Sequence, residues 1–422
     1  MSEPLCVTGA SLNGEMVGLR ADDGLITAVG PAVEPEPGDR IIDAAGDFLC
    51  PPLVNAHTHA AMTLFRGHGD DLPLMRWLTE AIWPVEENLE DEDVYWGTRL
   101  ACLEMIRTGT TAFWDMYWKP VAVARAVTDA GLRAVVGPPL IDPQKESALA
   151  GRNQGLVDDL DELAGFGPRI TAAVAPHSIY TVSPESLEFA AGLAGERGLP
   201  VEIHLSETEG EVRDCLDKYG IRPAELLDRV GLLTESSMLA HGVWLDDGEF
   251  DLISERGSTV STNPVANMKL AVGRVFPYPA ARRAGIGLAL GTDGAGSNNS
   301  LDLFSDLKTF ALAQRHAAVD AEAIPVHEAW AIASGARSPL IGASGSISEG
   351  QPADFLLLDA SSPELALGDL ESNLVYTAAG SVVRTTVVDG EVLMEDRHVE
   401  GAAEVTARAR ERAVGLGLAE PG

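Results

Sequence analysis

What most constrains the fold of this chain is an alternation. Short apolar runs recur through its middle, and helical stretches lie between most of them. The runs are "FLCPPLVNAH", "TTAFWDM", "RAVVGPPL", "ITAAVAPHS", "VEIHLSE", "MLAHGVW", "STVSTNP" and "GLALGTDG". Amphipathic segments such as "PESLEFAAGLAGERG" and "RPAELLDRVG" separate them. Eight strands alternating with helices over about 300 residues predict an α/β chain built on a (β/α)8 barrel. A doubly wound open sheet is the competing architecture.

The two ends read differently from the middle. "VTGASLNGEMVGLR", "GLITAVGP" and "RIIDAAGDFL" are short strands punctuated by Asn-Gly, Asp-Gly and Gly-Asp. "GSISEGQPADFLLLD" and "SVVRTTVVDGEVLME" near the other end repeat the pattern, the latter with an Asp-Gly hairpin signal. We expect a small β-sandwich made from both ends: residues 1–50 and 345–422, flanking a barrel over 51–344. The final "AAEVTARARERAVGLGLAEPG" reads as a helix and a frayed tail.

Charge narrows the partners. The formal net charge is −34, which repels nucleic acid and anionic membrane. No uninterrupted apolar run reaches the roughly 18 residues of a membrane span. The first residues, "MSEPLCVTGASLNGE", lack a basic segment followed by an apolar one, so no secretory signal is expected. Cys6, Cys50, Cys102 and Cys215 form no C-x-x-C pair and suit free thiols in a reducing cytoplasm. We expect a cytoplasmic homo-oligomer.

The histidines mark the chemistry. His57 and His59 end the first strand, His177 the fourth, His204 the fifth and His241 the sixth, and Asp293 ends the eighth. Barrel active sites form at these strand ends. Residues i and i+2 of a strand face the same side, so His57 and His59 both point into the barrel mouth. Two such histidines with a third His and an Asp suit zinc, leaving a position for water. Bound water of that kind has a pKa of about 7. Glu207 follows His204 closely in "HLSETEG" and suits a proton shuttle beside that water. His241 is placed to orient the water, and Asp293 to accept a proton. His68, His316, His327 and His398 lie in loops or helical stretches and read as ordinary residues.

Seven stretches together resemble the amidohydrolase superfamily, in its branch of S-adenosylhomocysteine and 5'-methylthioadenosine deaminases and triazine hydrolases. They are "VNAHTHAAMTLFRG", "DDLPLMRWLTEAIWPVEENL", "APHSIYTVSPE", "EIHLSET", "AHGVWL", "STNPVANMKL" and "GTDGAGSNNSLDLF". The resemblance implies one zinc, or another divalent ion such as ferrous iron, held by His57, His59, His204 and Asp293. The fourth strand lacks the lysine that two-metal relatives carboxylate, which implies a mononuclear site. It further implies that Glu207 and His241 act on water and ring, that Trp77 and Glu86 meet a ribose, and that His177 and Ser297 meet the base. An ionised carboxylate only accepts hydrogen bonds, which suits Glu86 to a ribose diol. The implied reaction is attack of water on C6 of an adenine ring, with loss of ammonia. Relatives hold a homocysteine carboxylate with arginines after the third strand. Arg152 matches one, and a second is not evident. Methylthioadenosine, adenosine and 5'-deoxyadenosine, which lack that carboxylate, therefore stand beside S-adenosylhomocysteine as expected substrates.

Two alternatives differ in chemistry. Deaminases or hydrolases of guanine, oxopurine, pterin or triazine rings share the scaffold. Glu207 favours expulsion of an amine, which needs a proton, over chloride, which does not. A catalytically dead scaffold would not need the complete ligand set and shuttle present here. The P-C-x-x-C motif of cytidine-deaminase zinc sites is absent.

Overall fold

The computed structural model describes residues 3–338, 340 and 346–420. The expected domain boundary at 344/345 lies outside these residues.

Both ends of the chain share one sheet. Leu5–Leu12 pairs antiparallel with Glu15–Asp22, which pairs with Leu25–Gly30. Arg40–Asp43 and Phe48–Cys50 run parallel to Leu5–Leu12. Phe355–Leu358 joins Phe48–Cys50, followed by Val383–Val388 and Glu391–Met394, giving eight strands. The turns are the ones the sequence predicts. Asn13-Gly14, Asp23-Gly24 and Asp389-Gly390 all have positive φ, as two-residue hairpins with the strands' own twist require. The run "FLLL" is buried throughout because the strand has two apolar faces. Phe355 and Leu357 pack with Leu5, Val7, Leu19 and Val387 in a small core. Leu356 and Leu358, of opposite parity, face the large central core. The terminal strands form one hydrogen-bonded sheet; two facing sheets are not distinguished.

In the middle of the chain, Leu53–Thr58, Thr110–Met116, Arg133–Gly137 and Ile170–Ala172 form a parallel sheet in sequence order. Val201–Leu205, Ser237–His241, Thr259–Thr262 and Gly287–Leu290 form another. Short bridges from Val174 to Val201 and from Ser178 to His204 connect the two. Across the other seam the Asp293 N–H donates to the His57 carbonyl at 3.0 Å. No single closed ladder is formed among the described residues.

Three expected strands are divided, two of them at prolines. "FLCPPLVNAH" is split at Pro51-Pro52, which have no N–H to donate. Its first part joins the terminal sheet and its second the central one. Pro138 divides "RAVVGPPL" in the same way, and "ITAAVAPHS" breaks into Ile170–Ala172 and Ala175–Pro176. The final helix, Ala402–Gly415, buries Val405, Ala409 and Ala413 on one side. Its Arg412 bonds Asp93 at 2.6 Å, in the first turn of the helix Asp91–Thr108. All four cysteines are buried and free. No described helix is long and apolar enough to cross a membrane.

Candidate metal centre and its cavity

The strand's two-residue period brings His57 and His59 to one place, with ring centroids 4.9 Å apart. Each imidazole is fixed through Nδ1. His57 Nδ1 donates to Glu202 Oε1 at 2.7 Å, His59 Nδ1 to the Met116 carbonyl at 2.6 Å, and His204 Nδ1 to the His177 carbonyl at 2.8 Å. A carbonyl or carboxylate can only accept, so Nδ1 carries the proton in each ring. A neutral imidazole then presents a bare lone pair at Nε2.

Those lone pairs converge. His59 Nε2 lies 3.3 Å from His204 Nε2 and 3.2 Å from Asp293 Oδ1. His57 Nε2 is buried with no hydrogen-bond partner and sits 3.5 Å from the same oxygen. Acceptors facing acceptors in a buried site need a metal ion or a proton between them. Imidazole nitrogens with one carboxylate oxygen are a zinc-type donor set. His57, His59 and Asp293 form one group able to hold an ion, and His57, His204 and His241 form another. The residues present fit a divalent metal.

Asp293 is held ready. Its Oδ2 accepts from Ser297 Oγ at 2.7 Å, and its Oδ1 from the Gly294 N–H at 2.8 Å. Asp293 and His241 both have positive φ, 62° and 73°, a conformation that costs a non-glycine residue energy and recurs at functional sites. "GTDG" opens with glycine for a reason of space. A Cβ on Gly291 would lie 3.0 Å from His57 Cβ and 2.8 Å from Ser261 Oγ.

Above this floor lies a cavity that opens to solvent. His59, Trp77, Glu86, His177, His204, Glu207, His241, Asp293 and Ser297 all line it. His57 lies beneath them, fully buried. Burial pushes the Glu207 carboxyl above its usual range. Its Oε1 is 4.0 Å from His241 Nδ1. Burial also raises the Glu86 carboxyl, which accepts a 3.4 Å hydrogen bond from Trp118 Nε1. Burial and the neighbouring histidines push His177 down to about 3, so its ring is neutral. Arg152 is not in the lining. Its guanidinium bonds Asp142 at 3.0 Å and Ser186 Oγ at 2.9 Å, tying a loop to the helix Pro184–Arg197.

Three supporting residues escaped the sequence reading. Glu211 accepts the backbone N–H groups of Ser206 and Glu207 at 2.8 and 2.9 Å, which fixes the chain that carries Glu207. Asp115 accepts from Thr58 Oγ1 and from the Ala60 N–H, locking the chain on either side of His59. Glu202 grips His57. The available signal was an acid inside the apolar run "VEIHL", at i−2 from His204. A carboxylate behind a metal-ligating imidazole fixes its ring and raises its basicity, and its loss typically lowers metal affinity by about 10–100-fold. Glu202→Gln should therefore bind zinc more weakly by about that factor in a competition titration. Unchanged affinity would separate Glu202 from the metal.

The amidohydrolase family model matches residues 48–393. The chain is 47% identical over 375 residues to a 5'-deoxyadenosine deaminase of Methanoregula boonei, covering 87% of this chain and 84% of the relative. It is 42% identical over 436 residues to a 5-methylthioadenosine/S-adenosylhomocysteine deaminase of Halobacterium salinarum, covering 97% and 100%. A solved adenosine deaminase from Xanthomonas campestris with bound zinc superposes with a TM-score of 0.90 at 35% identity, over 98% of this chain and 99% of that one.

Proposed function

The chain belongs to the amidohydrolase family, and from that premise we propose that it is a zinc-dependent deaminase of adenine nucleosides, releasing ammonia and the inosine-type product. The observation that carries this reading is the convergence of three Nε2 lone pairs and Asp293 Oδ1 on the floor of a cavity, with the raised carboxyl of Glu207 beside them.

His57, His59, His204 and Asp293 would hold the metal. When bound, zinc lowers the pKa of a water to about 7 and so supplies a nucleophile at neutral pH. Glu207 takes a proton from the water and delivers it to the ring nitrogen beside C6. C6 becomes tetrahedral; its new hydroxyl then gives up its proton, which Glu207 passes to the exocyclic nitrogen, the C6–N bond breaks as the C6 carbonyl forms, and ammonia leaves. His241 orients the water and stabilises charge on the adduct. His177, neutral and hydrogen-bonded at Nδ1 to Ser178 Oγ and Thr181 Oγ1, holds the ring, and Ser297 sits beside it. Trp77 packs on the ribose, and Glu86 accepts its hydroxyls. We read the eight parallel strands as a closed barrel over 51–344, and the terminal sheet, folded on its own small core, as the sandwich of residues 1–50 and 345–422.

The lining also orders the substrates. It holds Leu74, Leu78, Ile82 and Ile141 and, among the described residues, no lysine or arginine. Arg152 is spent on Asp142 and Ser186. A charged amino-acid tail would enter without a counter-ion, which is costly. Purified zinc-loaded protein should show kcat/KM for 5'-deoxyadenosine and methylthioadenosine at least about tenfold above that for S-adenosylhomocysteine, a difference of roughly 1.4 kcal/mol. A preference for S-adenosylhomocysteine would contradict this ordering.

A further inference from the structure

The stretch "STNPVANMKL" carries a lysine that the chemistry above does not use. Lys269 ends the short helix Pro264–Lys269, and the next residue, Leu270, lines the cavity. An ammonium has three N–H donors, and here each has an acceptor. Nζ lies 2.7 Å from Asp70 Oδ1, 3.1 Å from the Gly296 carbonyl and 2.6 Å from Asn299 Oδ1. The three acceptors come from two other segments. Asp70 follows the strand of His57 and His59; Gly296 and Asn299 follow Asp293.

Both segments build the cavity. The Asp70 segment is seated on Trp77, whose Nε1 donates to the His68 carbonyl at 3.2 Å. Trp77 opens a π-helical turn, Trp77–Ile82, an irregularity that recurs at functional sites. Its Trp77, Leu78 and Ile82 form one wall. On the other segment, Gly296 lies so close that a Cβ would come 3.1 Å from Trp77 Cζ2 and 2.9 Å from Met62 Cε. Ser297, the next residue, bonds Asp293. Arg66 Nη1 donates to the Asn299 carbonyl at 3.0 Å. The contact with Lys269 also holds the Asp70 carboxyl below its usual range.

We propose that Lys269 is a positioning residue for substrate binding: its ammonium ties the segment around Asp70 to the turn Gly296–Asn299, and so fixes the Trp77 wall against the seat of Ser297. The effect falls on binding, because the segments it ties carry Trp77 and Ser297, which line the cavity, while Lys269 itself does not. The proposal rests on the reading of the cavity as the nucleoside site.

Zinc-loaded full-length wild type, Lys269→Met, Lys269→Arg and Asp70→Asn test it by hydrogen exchange and by steady-state kinetics with 5'-deoxyadenosine. In Lys269→Met, amides of residues 66–82 and 294–300 should exchange about tenfold faster, with the rest of the chain unchanged. KM should rise about tenfold with kcat within about threefold, and zinc content should stay the same. Asp70→Asn cuts one arm only, so faster exchange should be confined to 66–82, with a smaller rise in KM. Lys269→Arg, which keeps the charge, should recover part of the binding. Unchanged exchange in both segments overturns the proposal. So does faster exchange spread over the whole chain, the mark of general destabilisation, and so does local loosening with KM unchanged. If wild type turns over no adenine nucleoside, the substrate reading fails, and local exchange still decides the tie.

Discussion

Glu207→Gln is expected to bind zinc like the wild type and to lose deamination by roughly 10²–10⁴-fold in kcat, the range of a positioned acid–base group. The substitution keeps the shape of the side chain and removes its titration. The backbone stays where it is, because Glu211 holds the Glu207 N–H and not its carboxyl. Burial raises the Glu207 carboxyl, which moves its pKa toward the neutral pH at which a proton shuttle works best. The leaving amine must also receive a proton, and Glu207 lines the cavity in which it departs. Metal content by elemental analysis and ammonia release by a coupled assay check the two halves together. Full activity in the variant would remove the shuttle from Glu207.

Stripping the metal with a chelator should abolish activity and lower the melting temperature, and zinc should restore both. The physical cause is the floor of the cavity. Without a metal, the ring nitrogens of His57, His59 and His204 crowd one another and Asp293 Oδ1, and only protons taken up by the rings beside Asp293 can separate them. With a metal at 1,000 times its Kd, binding stabilises the fold by about 4.1 kcal/mol. Asp293→Asn should behave as a partial strip, because it weakens the anionic ligand while leaving Ser297 an oxygen to donate to. Activity that survives complete removal of the metal would contradict the site.

The strands and the floor of the site were legible because they follow from local rules. A period of two puts His57 beside His59, and strand ends bring His204 and Asp293 to the same rim. The hairpins at Asn13, Asp23 and Asp389 were legible for the same reason, since φ is set by the two turn residues. What stayed hidden depends on partners distant in sequence. Glu202 meets His57 across 145 positions, and Lys269 meets Asp70 only once the rim is assembled. Arg152 has the charge expected of a carboxylate binder, but Asp142 takes it first. Which sheet a strand joins also lay outside the local pattern: Pro51-Pro52 breaks one apolar run into pieces of two different sheets.

On the proposed function, this floor hydrolyses the exocyclic amine of an adenine nucleoside. Zinc-loaded protein given 5'-deoxyadenosine tests it most directly, with ammonia and the deaminated nucleoside measured in one sample. The two should appear in equal amounts, and neither should appear after chelation. Zinc bound at the site with no ammonia from 5'-deoxyadenosine, methylthioadenosine, adenosine or S-adenosylhomocysteine would contradict it.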